Sequence, residues 1–263
     1  PGAAYLPNVH WIIAVLIVLG GIGFGTLSDV LAQPWRKQSV IRSWRGLRLG
    51  TKIGLSVAGI LLVVGGAVFA LTLSFEGNVG THLSHSFFQS ITARTAGFNT
   101  IDIGAMAMPA LLMMIFLMFI GGGSGSTAGG IKTSTFALVF LSAAATIRGK
   151  KDINLYKNKI PWELMNRAFA VFLFAIVFIF LGIFTLTILE PEMAFLELAF
   201  EQVSAFCTVG LSTGITADLS FGSKVVIMLS MLVGRVGTLT LAFALSGARA
   251  ESNAFTYPKG NMH

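Results

Sequence analysis

Five stretches of the chain are rich enough in apolar residues to form long buried helices. They lie near residues 10–32, 53–73, 108–145, 168–189 and 221–246. About 20 residues of helix cross a hydrocarbon core of about 30 Å, so each stretch is long enough to span a membrane. The pattern therefore predicts an all-α integral membrane protein with five spanning helices, numbered one to five below.

Charged residues are few and unevenly placed. The chain is 54% hydrophobic and 11% charged, and its mean hydropathy is +0.80. Because positively charged loops stay in the cytoplasm, the two segments that hold twelve of the eighteen Lys and Arg residues, and the C-terminus, are expected there. No nucleic-acid partner is expected. The two basic segments consist of Arg36, Lys37, Arg42, Arg45, Arg48 and Lys52, and of Arg148, Lys150, Lys151, Lys157, Lys159 and Arg167.

Two shorter apolar segments, residues 82–93 and 195–207, join helix two to helix three and helix four to helix five. Both are too short to cross a membrane. If one of them did cross, the basic loops would lie on opposite sides, so both are predicted to be re-entrant half-helices followed by non-helical chain. A membrane tolerates non-helical backbone only where it lines a cavity or is buried in protein. A cation pore explains both segments.

An internal repeat supports this interpretation. The repeated unit is helix, half-helix, loop, helix, and it occurs twice. A second, smaller shift places Gly21, Gly23 and Gly25 on glycines of helix three, so helix one is expected to close an earlier unit. One constant shift, without a gap, aligns the two complete units and places Phe87 on Phe200, Gln89 on Gln202, Thr95 on Thr208, Gly97 on Gly210 and Gly121 on Gly234.

The repeat gives the expected divisions of the chain. Helix one at 1–33 closes an incomplete unit, 34–52 and 146–167 are basic cytoplasmic loops, 53–145 and 168–247 are complete pore units, and 248–263 is a cytoplasmic tail.

A short loop after each half-helix is the candidate ion site. A dehydrated K⁺ needs oxygen ligands, and glycine permits backbone angles that turn successive carbonyl groups toward one axis. The negative C-terminal end of each half-helix favours a cation there. Ordinary glycine turns are the alternative. The candidate filter residues are Thr95, Ala96, Gly97 and Phe98 in the first loop and Thr208, Val209, Gly210 and Leu211 in the second.

Helix three is too long for one span, because a continuous helix over 108–145 would measure about 57 Å. It is expected to break at a glycine run just below the filter, where a flexible loop can act as a gate. A glycine-rich helix-packing surface is the alternative. A nucleotide-binding loop is excluded, since Ile131 separates Gly130 from Lys132. The candidate gate residues are Gly121, Gly122, Gly123, Ser124, Gly125, Ser126, Gly129, Gly130 and Lys132, with Arg235 of helix five.

Arg235 lies inside an apolar helix, where a charge is costly and usually functional. It is expected to hydrogen-bond carbonyls of the broken loop or to repel cations, and a purely structural role is the alternative. Arg94, at the end of the first half-helix, is expected to cap carbonyls there or to pair with Glu201. His82 and His85 have helical spacing but no third metal ligand nearby, so they are expected to be polar interfacial residues.

An enzyme is not expected. The single cysteine, Cys207, excludes an intrachain disulfide and offers no metal-binding spacing, and the spans of helices two to five contain no His, Asp or Glu to act as a base. The main alternative is a secondary transporter of another class with a substrate site at the membrane midplane. Such transporters often have inverted repeats, whereas the two copies here run in the same direction.

These motifs together resemble the superfamily of Trk, Ktr and HKT potassium transporters, most closely the Ktr membrane subunits. The most specific segments are residues 92–100, 121–132 and 208–214, and Tyr257-Pro258 of the short tail. The resemblance implies K⁺ uptake across the cell membrane, with Na⁺ as a coupling ion in some members and no covalently bound cofactor. It also implies a homodimer, contact with membrane lipid and a cytoplasmic ring of nucleotide-binding regulatory subunits.

Members of that superfamily place four filter loops around each pore, whereas this chain has two. The sequence is therefore expected to be the C-terminal part of a longer protein, or to be completed by a second chain. It does not decide between K⁺ and Na⁺ selectivity.

Overall fold

The chain forms a helical bundle in which short helices lie between long ones. The computed structural model describes residues 9–33, 40–73, 78–149, 154–156 and 158–237. The C-terminal part of helix five beyond Gly237, the tail and several residues of both basic segments lie outside this range. The helices are α1 Val9–Ile22, α2 Phe24–Leu31, α3 Val40–Gly46, α4 Leu49–Thr72, α5 Val79–Thr92, α6 Met108–Phe119, α7 Thr133–Ile147, α8 Trp162–Leu189, α9 Phe195–Phe206 and α10 Phe221–Val236.

Little of the described chain is extended. Two short strands, β1 Asn154–Leu155 and β2 Asn158–Lys159, pair antiparallel between α7 and α8. A 3₁₀ turn covers Ile215–Ala217 before α10. Together with the apolar character of the helices, this confirms the predicted all-α membrane protein. By length and composition, α4 and α8 are each able to cross a membrane, and α1 and α2 meet the same criterion as a bent pair.

The two copies of the repeat begin at matching positions. Helices α4 and α8 start at Leu49 and Trp162, and α6 and α10 start at Met108 and Phe221. Both pairs have the same offset as the repeat found in the sequence. The half-helices α5 and α9 have 14 and 12 residues. At 1.5 Å per residue they measure about 21 and 18 Å, which is too short to cross a membrane.

The prediction for helix one is wrong in one respect. Residues 10–32 do not form one straight helix, because the chain bends by 97° between α1 and α2. The bend lies at Gly23, whose φ of 93° and ψ of 141° are accessible to glycine but not to a helical residue. Gly237, which ends α10, has almost the same backbone angles, φ 92° and ψ 132°. Helix three is broken as predicted, into α6 and α7.

The core lies where α4, α6, α8 and α9 meet. Phe69 of α4, Met114 of α6 and Phe200 of α9 are fully buried there. Close approach of helices at glycine positions makes this packing possible, as is common between membrane helices. A Cβ atom added at Gly182 of α8 would overlap the buried Gln202 side chain of α9.

The ends of the second copy are tied together by Glu190, the residue after α8. Its carboxylate accepts hydrogen bonds from Ser220 N and from Ser223 Oγ, both at 2.7 Å. Hydrogen bonds from Ser220 and Ser223 hold the pKa of this carboxyl below its ordinary value. The start of α10 is thereby fixed to the end of α8.

Alanine at Gly65 is expected to destabilise the bundle. A Cβ atom there would overlap Ser90 Oγ, which donates to Leu62 O, and would lie 2.7 Å from Leu117 Cδ1. Overpacking of this kind costs about 1–3 kcal/mol. Gly59→Ala in the same helix is the control, since a Cβ atom there meets nothing within 4 Å. Thermal unfolding of the purified protein should show a lower midpoint for Gly65→Ala only. Equal midpoints would contradict the packing of α4 on α5.

Candidate functional site

The two candidate filter loops have the same unusual backbone. In the first loop, residues 95–98, Thr95 has φ 71° and Gly97 has φ 78°. In the second loop, residues 208–211, Thr208 has φ 53° and Gly210 has φ 86°. A β-branched residue such as threonine rarely adopts positive φ, and such conformations persist only where the surrounding structure enforces them. The same outlier thus occurs at the same position of both copies.

Each loop is tied to the half-helix before it. Thr92 Oγ1 donates to the carbonyl oxygen of Phe98, and Ser204 Oγ donates to that of Leu211. The backbone amide of Val209 donates to Ser204 O at 2.9 Å. Thr92 and Ser204 are both buried. These bonds fold each loop back along its half-helix.

The two loops lie against each other. A Cβ atom added at Gly97 would overlap the carbonyl oxygen of Val209, so the two backbones touch and only glycine fits the first loop here. A Cβ atom at Gly210 would meet nothing within 4 Å. The second loop instead borders a cavity of about 810 Å³, which is also lined by Glu201, Ser204 and Arg235.

The glycine loop, residues 120–132, closes on itself between α6 and α7. Gly121 N donates to Ile131 O at 2.9 Å, and Ile131 N donates to Phe119 O at 3.2 Å. A Cβ atom at Gly121 would overlap the carbonyl oxygen of Gly129. The loop is therefore a compact non-helical segment whose two ends are joined.

Two neighbours hold the glycine loop in place. At the bend of α1, Gly123 N donates to Gly21 O at 2.7 Å and Phe24 N donates to Gly125 O at 3.2 Å. On the other side, a Cβ atom at Gly129 would overlap Thr208 Oγ1 and the carbonyl oxygen of Cys207. The glycine loop thus lies directly against the second candidate filter loop.

Three cationic side chains bind carbonyl oxygens of the glycine loop. Arg235 Nη1 donates to Thr127 O at 2.9 Å, and Lys132 Nζ donates to Ala128 O. Arg235 therefore makes one of the contacts expected from the sequence. A small cavity of about 180 Å³ between the loop and the end of α10 is lined by both cations.

Arg94 is the third cation, and the prediction of its partners is wrong. Its guanidinium donates to Ala58 O of α4 at 3.2 Å and to Gly121 O of the glycine loop at 3.4 Å. It neither caps its own half-helix nor pairs with Glu201. The break in helix three leaves the carbonyl of Gly121 without a helical partner, and the long Arg94 side chain extends beyond its own half-helix to bind it.

The candidate histidines contact oxygen atoms. His85 Nδ1 lies 3.0 Å from Thr100 Oγ1, and His82 Nε2 lies 3.1 Å from Leu73 O. Within the described residues, no group of three or more His, Cys, Asp or Glu side chains is placed to hold a metal ion.

Sequence reasoning missed the role of two residues near the site. Gly23 bends helix one against the glycine loop, and the spacing of Gly21, Gly23 and Gly25 was the available signal. Glu201 accepts hydrogen bonds from residues that follow the second candidate filter loop, and a carboxylate in the middle of the half-helix was the signal there.

Comparison with known proteins identifies the family. A family model described as TrkH, cation transport protein, matches residues 3–254. The chain belongs to this cation transport family. The TrkH family assignment agrees with the resemblance found in the motifs, including the predicted relationship to Ktr membrane subunits.

Relatives support the TrkH family assignment over almost the whole chain. The Ktr system potassium uptake protein B of Bacillus subtilis is 38% identical over 262 residues, which cover 97% of this chain and 56% of the relative. The protein of the same name from Vibrio alginolyticus is 39% identical with the same coverage. The potassium/sodium uptake protein NtpJ of Enterococcus hirae is 36% identical, covering 97% of this chain and 57% of the relative.

A solved structure supports the fold. The crystal structure of the potassium transporter TrkH from Vibrio parahaemolyticus superposes with a TM-score of 0.73 at 19% identity, covering 92% of this chain and 53% of that one. The chain therefore spans slightly more than half the length of each of these three relatives and of the TrkH structure.

Replacing Arg94 with methionine is expected to lower stability. The change leaves the buried carbonyl oxygen of Gly121 without this donor, whereas the Ala58 carbonyl keeps its bond within α4, and a buried acceptor left unpaired costs about 1–3 kcal/mol. Arg148→Met, which removes a cation from the exposed end of α7, is the control. Thermal unfolding of both variants tests this, and the midpoint should fall for Arg94→Met only. Equal midpoints would show that the Arg94 contacts do not contribute to stability.

Proposed function

We propose that this chain takes part in potassium uptake across the cell membrane through a pore that its two filter loops help to form. The observation that carries this proposal is the recurrence of positive φ at Thr95 and Gly97 and again at Thr208 and Gly210. The relatives named as potassium uptake proteins support the choice of ion.

The alternation of backbone handedness in the two loops gives a physical reason why they could bind a cation. Positive φ at the first and third residues of each loop alternates with negative φ at the residue between them, which lets successive carbonyl oxygens point to the same side. Carbonyl oxygens turned toward one axis can replace the hydration shell of a K⁺ ion. Thr95, Ala96, Gly97 and Phe98 in one copy and Thr208, Val209, Gly210 and Leu211 in the other would supply such oxygens. The negative C-terminal ends of α5 and α9 would add to the attraction.

The glycine loop is proposed as the gate below this filter. It rests against Thr208 and Cys207 at its top and is held by Arg235 from the side. Breaking a few hydrogen bonds would release it, because its glycines permit several backbone conformations. Movement of the loop would open or close the path from the filter to the cytoplasm.

The proposed assembly extends beyond this chain. A pore of four loops needs two more than the chain contains, and these would come from the remaining length of the full protein. By analogy with Ktr systems, we also propose a homodimer with a cytoplasmic ring of nucleotide-binding subunits, contacts to membrane lipid and basic loops that face the cytoplasm. The potassium/sodium relative makes Na⁺ the candidate coupling ion.

Gly210→Ser is expected to abolish selective K⁺ uptake. The substitution strains a backbone with φ 86° and adds a hydroxymethyl group beside the proposed ion path, although a Cβ atom alone meets nothing there. Gly149→Ser is the matched control, since φ at Gly149 is 65° and its Cβ position is equally open, far along the chain from either loop.

The measurement is growth at limiting K⁺ of bacteria that lack their own potassium uptake and express the full-length protein. Rescue should persist in Gly149→Ser and disappear in Gly210→Ser while both proteins are present in the membrane. Equal rescue by both variants would argue against a filter at the second loop.

Arg235→Ala is expected to raise K⁺ flux when the transporter is not stimulated. The change removes the hydrogen bond to Thr127 O and a positive charge beside the glycine loop, so the closed position loses stability. Hydrogen bonds to charged groups are worth about 1.5–3 kcal/mol, and this one is exposed, so its contribution lies at the lower end and a rise of about tenfold is the expected order. Lys224→Ala is the control, because Lys224 lies in the same helix and donates to Ala217 O instead.

Rubidium flux into proteoliposomes measures this directly. A flux in Arg235→Ala at or below that of the unaltered protein, with Lys224→Ala unchanged, would contradict a gate held by Arg235.

A further inference from the structure

Glu201 is a buried acidic residue that the proposed filter and gate leave unexplained. It lies in the middle of the half-helix α9 and is only 5% exposed. Burying a carboxylate is costly unless hydrogen bonds or opposite charge compensate it. Its surroundings must therefore provide that compensation.

Three donors, all uncharged, surround the carboxylate. Oε1 accepts from Ser212 Oγ and, at 3.2 Å, from the backbone amide of Thr213. Oε2 accepts from Thr216 Oγ1 at 3.0 Å. Ser212 Oγ in turn accepts from Gly214 N at 2.9 Å. Glu201 thus organises residues 212–216, the segment that continues directly from the second filter loop.

The negative charge itself is not matched by a cation in these contacts. Glu201 lines the 810 Å³ cavity together with Thr208, Gly210 and Leu211. Arg235 is the one cation among the described residues that line this cavity, and its hydrogen bond goes to Thr127 of the glycine loop. A cation bound along the second loop would therefore share this cavity with a carboxylate whose charge no cation in these contacts neutralises.

The other copy of the repeat does not need a carboxylate at this position. The alignment that places Gly97 on Gly210 also places Phe88 on Glu201, and Phe88 is 2% exposed. There Thr100, the counterpart of Thr213, lies 3.0 Å from His85 Nδ1 and 3.3 Å from Gln89 Nε2. An apolar residue therefore fills the same place in the half-helix, so packing alone does not require Glu201.

We propose that Glu201 is a positioning residue for the second filter loop and supplies the negative charge that raises the affinity of the pore for its cation on that side. This inference rests on the proposed cation uptake. It assigns the two loops different roles: the first is held by neutral side chains and histidine, and the second by a carboxylate.

The test compares rubidium uptake kinetics of the full-length protein with Glu201→Gln. Glutamine keeps the shape and an acceptor oxygen but removes the charge. We expect KM for the ion to rise about tenfold with the maximal rate within about twofold. Tenfold is the order expected for loss of one charge about 12 Å from the ion at an effective dielectric constant of about 20. Glu197→Gln, one turn earlier in α9 and outside this hydrogen-bond network, should keep the KM of the unaltered protein.

The outcomes separate the inference from the function on which it rests. No rubidium uptake by the unaltered protein would overturn both. Uptake with equal KM in the unaltered protein and in Glu201→Gln would overturn the inference alone, as would a fall in maximal rate at constant KM, which a merely structural role produces. If Glu201→Gln is absent from the membrane, Glu201→Asp is measured instead. Aspartate keeps the charge, so the KM of this variant should stay within about threefold of the unaltered value. A tenfold rise in KM would overturn the inference.

Discussion

Non-helical backbone inside a membrane protein must find partners within the protein for its amide and carbonyl groups, because the surrounding hydrocarbon offers none. The glycine loop between α6 and α7 meets this constraint in two ways. Its ends bind each other through Gly121 and Ile131, and carbonyls at Gly121, Thr127 and Ala128 accept from Arg94, Arg235 and Lys132. The placement of three cations beside the glycine loop is thus explained by the carbonyl groups that the broken helix leaves free.

The same constraint couples the loop to its neighbours. The bend at Gly23 frees the carbonyl of Gly21 and the amide of Phe24, and the glycine loop takes up both. On its other face the loop touches Thr208 and Cys207 at the start of the second candidate filter loop. A displacement of the glycine loop must therefore break bonds to α1 or change its contact with the second candidate filter loop. The contacts required for satisfied backbone groups are also those that would link a gate to a filter.

Sequence patterns predicted the elements of this structure better than the contacts between them. The half-helices, the break in helix three and the constant offset between the two copies follow from apolar length and repeated Thr and Gly residues, which are local signals. The bend in α1 was missed because apolar residues continue through it. The partners of Arg94 were missed because Ala58 and Gly121 lie 36 and 27 residues away and become neighbours only after the helices pack.

The unequal surroundings of Gly97 and Gly210 bear on how the site is completed. One glycine is packed against the carbonyl of Val209, so the first loop has no further room on that side. The other has an open Cβ position beside a wide cavity. Two touching loops do not enclose an axis. A closed ring of carbonyl oxygens needs further loops on the open side, and the TrkH family members contain nearly as much additional chain as the part matched here. The backbone that only glycine permits at Gly210 would then face the loops of that additional chain across the proposed ion path.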